Sequence, residues 1–227
     1  MNIIKDKPIF ITGCARSGTS MTAALIQKAG AFGGKLYPGQ KENPKGMFEN
    51  IAFRESLVKP YLRTIGADPM AQKPLPDIDR CWLMSNEGVE NWRKIVMQEM
   101  RKQGYKGGPW YNKDPKMCLI WPVWYKAFPE ATWIIVRRKS TDLINSCLKT
   151  RFMRAYNNET GWLYWIDQHK ERFLEMEEAG LDINYVWPQE MIDRDYTGIL
   201  AVVRRLGLKL DKESIEDFIE PALWSGK

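Results

Sequence analysis

One stretch, PIFITGCARSGTSMTAALIQKAG from Pro8 to Gly30, constrains this chain more than any other. Pro8 to Thr12 is a short apolar run ending at Gly13, and Met21, Ala24, Leu25 and Ala29 then recur at helical spacing up to Gly30. That is a strand, a glycine loop and a helix. Gly13 to Ser20 has the glycine spacing of a phosphate-binding loop, whose backbone N–H groups and helix dipole face an anion. In a nucleoside triphosphatase, a lysine after the second glycine reaches the terminal phosphates and the next hydroxyl holds Mg²⁺; here Thr19 stands in the lysine position. The group that handles a transferring γ-phosphoryl is therefore gone, and a different anion is implied. Arg16 supplies a forked cation inside the loop, and Ser17, Thr19 and Ser20 add hydroxyls. The bland alternative is a tight strand-to-helix turn whose glycines serve only backbone geometry. Tyrosine-phosphatase chemistry is excluded, because it needs an arginine six residues after the cysteine and the sixth residue after Cys14 is Ser20.

The 227 residues suffice for one domain, expected over 1–227, with a real hydrophobic core. No apolar run approaches the roughly 18 residues of a membrane helix, and the N-terminus shows no cleavable apolar segment, so a soluble cytoplasmic protein without a membrane span is expected. Cys14, Cys81, Cys118 and Cys147 are scattered, and His169 is the sole histidine, which predicts reduced thiols and no metal site. The net charge of +6 comes from basic residues interleaved with acidic ones. A local anion site accounts for the excess, and no nucleic-acid partner is expected.

Residues 31–50 read as a long loop, 51–65 as a helix broken or kinked at Pro60, 66–86 as irregular, and 87–103 as a polar helix. Gly-Gly-Pro marks a turn before a short strand over 110–112, and Pro115 a helix start. ATWIIVRR is the clearest buried strand, and Ser140 is expected to cap a helix running to about Met153. Trp162, Ile166, His169, Phe173 and Met176 step by four and three along a helix ending at Gly180, so His169 reads as a packed core histidine. A strand over 183–187 and helices over 197–206 and 212–219 follow. Alternating strands and helices predict an α/β fold: three α/β/α layers around a mostly parallel central sheet. Such sheets bind ligands at the carboxyl edge of their strands, where Gly13 to Ser20, Lys113 with Asp114, and Arg137 with Arg138 should converge.

GCARSGTS resembles the 5′-phosphosulfate loop of the sulfotransferases that use 3′-phosphoadenosine-5′-phosphosulfate (PAPS). WIIVRRKSTDLINSCL resembles the 3′-phosphate motif of that family, an arginine at a strand end followed eight residues later by a serine, here Arg138 and Ser146. NKDPKMCLIWPVWYKAFPEATW and NPKGMFEN resemble further segments of soluble bacterial members, and LGL and FIEPAL near the C-terminus look familial. The resemblance implies a P-loop NTPase-like fold and transfer of a sulfuryl group, by in-line displacement, to a hydroxyl or amine. PAPS is then the co-substrate, adenosine 3′,5′-bisphosphate the product, and no metal is required. Cofactor contacts carry over to Ala15, Arg16, Ser17, Gly18, Thr19 and Ser20, with Arg138 and Ser146 at the 3′-phosphate. A helix begun at Ser140 agrees, since Asp142 and Ser146 share one face; Arg137, on the opposite face of the strand end, is the lesser candidate.

The chemistry needs cations on the sulfonate and the departing phosphate, and a base for the acceptor's proton. Arg16 and Lys113 are assigned the first role. The cytosolic small-molecule enzymes carry a histidine two residues beyond the lysine, but Pro115 stands there and that role does not carry over; other sulfotransferase branches use a glutamate from the segment after the first helix, which GMFEN resembles, so the resemblance implies Glu49 as base, with Asp114, Glu42 and His169 as alternatives. No G-x-x-G-x-x-K segment completes the 3′-phosphate site, the terminal SGK is short, and Trp187 is either an adenine stacker or core. The acceptor, a small molecule or carbohydrate, should meet loops over 31–86 and 150–168; its identity and the oligomeric state are not readable. The rival readings are a P-loop nucleotide or small-molecule kinase, which Thr19 opposes, and a non-catalytic nucleotide-binding module.

Overall fold

A computed structural model describes residues 7–224 of the chain. Four strands, β1 (Pro8–Gly13), β2 (Trp110–Lys113), β3 (Thr132–Val136) and β4 (Asp182–Val186), pair in parallel in the order β2-β1-β3-β4. Parallel strands need helical crossovers that cover both sheet faces, which is why β1 and β3 are apolar at every other position on each side. Phe10, Trp133 and Ile135 point into one core, and Ile9, Ile11, Ile134 and Val136 into the other.

The second core is closed by α1 (Thr19–Lys28), α9 (Thr197–Arg205) and α10 (Lys212–Phe218). On the first lie α4 (Asn86–Lys102), α5 (Trp121–Ala127), α6 (Ser140–Lys149) and α7 (Glu159–Glu178). Here the tryptophans explain themselves: the Phe10 ring meets Trp133, Trp124 and Trp110 edge-on, at 5.0, 5.2 and 5.9 Å between centroids. Edge-to-face contacts of this kind suit the ring quadrupoles and lock the sheet to α5.

The helix expected over 51–65 contains a π-helical turn at Phe53–Val58 before α2 (Lys59–Thr64). Lys59 N–H bonds back five residues to Arg54, and Pro60, lacking an N–H, follows in the first turn of α2. Two short helices occupy segments read as irregular or unassigned. In α3 (Ile78–Trp82) Asp77 accepts from Asp79 N–H, and α8 (Pro188–Ile192) starts on Pro188. Each spans five residues, too few to show a periodicity. The segment after Pro115 is a 3₁₀ turn (Pro115–Ile120), capped by Asp114, rather than an immediate α-helix.

Ser140 is the first helical residue of α6 and Lys139 its cap, and the helix stops at Lys149 instead of Met153. Thr150 is extended and its hydroxyl donates to the Ser146 carbonyl at 2.6 Å, closing the last turn. No helix among the described residues is long and apolar enough to cross a membrane.

Candidate active site

The loop after β1 enters α1 through Gly18, whose φ of +99° lies in the left-handed region that glycine tolerates. A Cβ there would come within 2.7 Å of Pro188 and 3.1 Å of the Trp224 ring, so α8 and the C-terminal segment pack directly on the loop. The first turn of α1 has no side-chain cap, which leaves its N–H groups for a ligand. Ser17 Oγ is buried without a hydrogen-bond partner among the described residues. A loop with unmet donors beside cations fits an anion.

On one side of the loop, Arg16, Arg138 and Ser146 meet. Arg16 Nε donates to Ser146 Oγ at 3.1 Å and Nη1 to the Glu42 carbonyl at 3.4 Å. Arg138 Nη1 donates to the Arg16 carbonyl at 2.8 Å, and its guanidinium lies 4.0 Å from the centroid of the Trp224 ring. Burial lowers the Arg138 pKa to about 10, with Asp142 opposing and Arg16 adding its repulsion. Two guanidiniums held this close favour a shared anion between them. Arg137 turns to the other face, as strand alternation requires, and lies over Phe173, Tyr185 and Trp187 at 5.4 to 5.9 Å. Trp187 is thus occupied with Arg137, away from the cavity, while Trp224 takes the place beside the loop. The terminal SGK lies outside the described residues.

On the other side, Lys113 at the end of β2 donates to Glu49 Oε1 at 2.9 Å, the Met47 carbonyl at 3.0 Å and Ser20 Oγ at 3.3 Å. Asn50, accepting from the N–H groups of Ala52 and Phe53, caps the following helix and so fixes Glu49 just before it. Glu49 Oε2 meets Arg54 Nε at 2.8 Å and Lys116 Nζ at 4.0 Å. Burial alone would raise the Glu49 pKa, but Lys113, Lys116 and Arg54 together hold it well below the usual carboxylate range. Arg54 and Lys116 escaped the sequence reading; both are near a named residue in sequence, yet nothing local says that they converge on Glu49.

Both clusters open on one cavity of about 310 Å³. Ala15, Arg16, Gly18, Thr19, Ser20, Glu49, Lys113 and Arg138 line it; Ser17 and Ser146 lie behind its wall, Ser146 reaching it through Arg16. Among the alternative bases, Glu42 lines the cavity beside Arg151, whereas Asp114 is buried outside it and pairs with Lys116 Nζ at 2.8 Å. His169 is buried as expected of a core residue, but it is also one of the residues lining the cavity. Cys14 is buried and burial raises its pKa well above the ordinary thiol value, the reverse of a nucleophile's environment.

A profile of the sulfotransferase family matches residues 8–198. No protein with a curated description matches. Among solved structures, the sulfotransferase domain of the Synechococcus PCC 7002 olefin synthase aligns with a TM-score of 0.58 at 16% identity, covering 99% of this chain and 82% of that one. Sulfotransferase STF9 from Mycobacterium avium aligns with a TM-score of 0.55 at 18% identity, covering 94% and 67%. Sulfotransferase STF1 from Mycobacterium tuberculosis H37Rv aligns with a TM-score of 0.53 at 15% identity, covering 96% and 72%. These likenesses show a shared fold.

Proposed function

Since the chain belongs to the sulfotransferase family, we propose that it moves the sulfuryl group of PAPS to a hydroxyl or amine of a small-molecule or carbohydrate acceptor, with adenosine 3′,5′-bisphosphate as the product. The observation that carries this reading is the pair of cation clusters flanking one lysine-less phosphate loop, Arg16 with Arg138 on one side and Lys113 on the other. A molecule with phosphates at two ends of a nucleoside matches two separated cation sites better than the continuous triphosphate of a kinase substrate. PAPS supplies an activated sulfonate whose leaving group is a phosphate.

In this reading Arg138 and Ser146 hold the 3′-phosphate, and the loop from Ala15 to Ser20 holds the 5′ end with its N–H groups. Arg16 and Lys113 neutralise charge on the sulfonate and the departing phosphate. Glu49 accepts the acceptor's proton. Its two carboxylate oxygens are engaged by cations that lower its basicity, and each oxygen keeps a further lone pair for the acceptor's proton. Transfer of Lys113 from Oε1 to the incoming anion would raise that basicity. Loops over 31–86 and 150–168 form the acceptor side, supported by Met70, Gln72, Phe152 and Met153 on the cavity wall. The protein works in the cytoplasm in this reading, and the reaction requires no metal.

The test is thermal. Adenosine 3′,5′-bisphosphate should raise the melting temperature without Mg²⁺, because a ligand of the folded state alone stabilises it, while ATP with or without Mg²⁺ should do little. Equal shifts would favour the kinase reading. Labelled PAPS offered with a panel of acceptors then separates an enzyme from a nucleotide-binding module.

A further inference from the structure

Part of the cavity wall belongs to neither cation cluster. Met70, Phe152, Met153 and Trp165 line it with apolar surface, together with Gln72 and His169. The polar atoms here are mostly spent inside the protein. Gln72 Oε1 accepts from Arg154 and Ala155 N–H at 2.9 and 3.3 Å, and its Nε2 donates to the Phe152 carbonyl at 2.9 Å. Trp165 Nε1 donates to the Ala71 carbonyl at 3.0 Å. His169 Nδ1 lies 2.8 Å from the Trp165 carbonyl. A carbonyl can only accept, so Nδ1 carries the proton and Nε2 is left as a bare acceptor. His169 is 1% exposed and is one of the residues lining the cavity, its Nδ1 is turned to the Trp165 carbonyl, and no described residue donates to Nε2. Burial also lowers the His169 pKa to about 4, against the bond to Trp165 and helped by Arg172, so the ring is neutral at pH 7.

We infer that this wall binds the acceptor, and that the acceptor is a compact, mostly apolar alcohol or phenol carrying a second hydrogen-bond donor that meets His169 Nε2. The group that Glu49 deprotonates is a different one, since a single hydroxyl hydrogen cannot serve both acceptors. A sugar is a poor occupant: its many hydroxyls would lose hydration against methionine, phenylalanine and tryptophan and find one partner. A monofunctional alcohol would leave Nε2 buried and unmet. That the occupant is an acceptor rests on the proposed sulfuryl transfer; the pocket's chemistry does not.

Because the chain has one histidine, ¹⁵N NMR of labelled protein reads this site directly. Adding 4-(2-hydroxyethyl)phenol, with and without adenosine 3′,5′-bisphosphate, should shift the Nε2 resonance toward its hydrogen-bonded position, whereas glucose should leave it unmoved. A response to glucose and not to the diol, or to neither, overturns the inference. In turnover, the parent should prefer the diol to 4-ethylphenol in KM by about tenfold, the worth of one hydrogen bond, and His169→Phe should erase that ratio. An equal preference in both proteins also overturns it. Failure to bind adenosine 3′,5′-bisphosphate, measured by calorimetry, would instead remove the sulfuryl-transfer reading while an imidazole response to the diol still supported the pocket.

Discussion

Glu49 is the residue on which binding and chemistry separate most cleanly. It is a buried carboxylate shared by Lys113, Arg54 and Lys116, so neutralising it changes two things at once. If Glu49 is the base of the proposed transfer, Glu49→Gln keeps the shape and removes the proton acceptor, and single-turnover sulfuryl transfer should fall about 10²- to 10⁴-fold. The same change leaves the cations less compensated, so affinity for adenosine 3′,5′-bisphosphate by calorimetry should hold or rise. Arg138→Ala should do the opposite. It removes a charge-assisted contact of about 1.5 to 3 kcal/mol, which is roughly a ten- to hundredfold loss of affinity. Near-normal turnover in Glu49→Gln would pass the base role to Glu42 or His169, which line the cavity as Asp114 does not, and an unchanged affinity in Arg138→Ala would move the 3′-phosphate elsewhere.

The junction of β1, its loop and α1 is the element that brings these residues together. Gly18 adopts φ +99° and abuts Pro188 of α8 and Trp224, so the loop is clamped between the sheet edge and the C-terminal segment. Gly18→Ala meets both obstacles, an unfavourable left-handed backbone and a Cβ 2.7 Å from the Pro188 ring. It should lower stability by about 1 to 3 kcal/mol, seen as a reduced urea midpoint at constant m-value. Because Trp224 also lies over Arg138, the same variant should weaken adenosine 3′,5′-bisphosphate binding. A variant with the parent's midpoint and affinity would mean that this clamp holds nothing.

At the scale of the whole molecule, the buried titratable groups predict how folding depends on pH. His169 has its folded pKa at about 4, below the roughly 6.5 of an unfolded histidine, so between these values the unfolded chain binds the proton more readily. Stability from this site is fully present above pH ~6.5 and is lost as pH falls toward 4, by roughly 3 kcal/mol. Glu49, held low by its three cations, adds a second loss at still lower pH, below the ordinary carboxylate range. Urea unfolding from pH 7.5 down to 4.5 should show the first decline, and His169→Phe should flatten it. Parent stability that rises over this interval would contradict the neutral, buried imidazole.

The glycine loop, the buried strands and the long helices were legible in the sequence because each follows from short-range physics: turn chemistry, apolar periodicity and capping. So were Lys113 and Arg138 at strand ends, since a parallel sheet sends strand ends to one edge. The short helices α3 and α8 were not, being less than two turns long. What only the tertiary structure decided is which distant groups meet. Glu49 and Lys113 are 64 residues apart and Arg16 and Ser146 are 130 apart, and nothing near either residue names its partner. The turn of the Arg16 side chain toward Ser146, the two further cations on Glu49, the Trp224 ring beside the loop and the place of His169 on the cavity wall all depend on strand order and helix packing. Sequence patterns report what a residue does to its neighbours along the chain, whereas a site is made of neighbours across it.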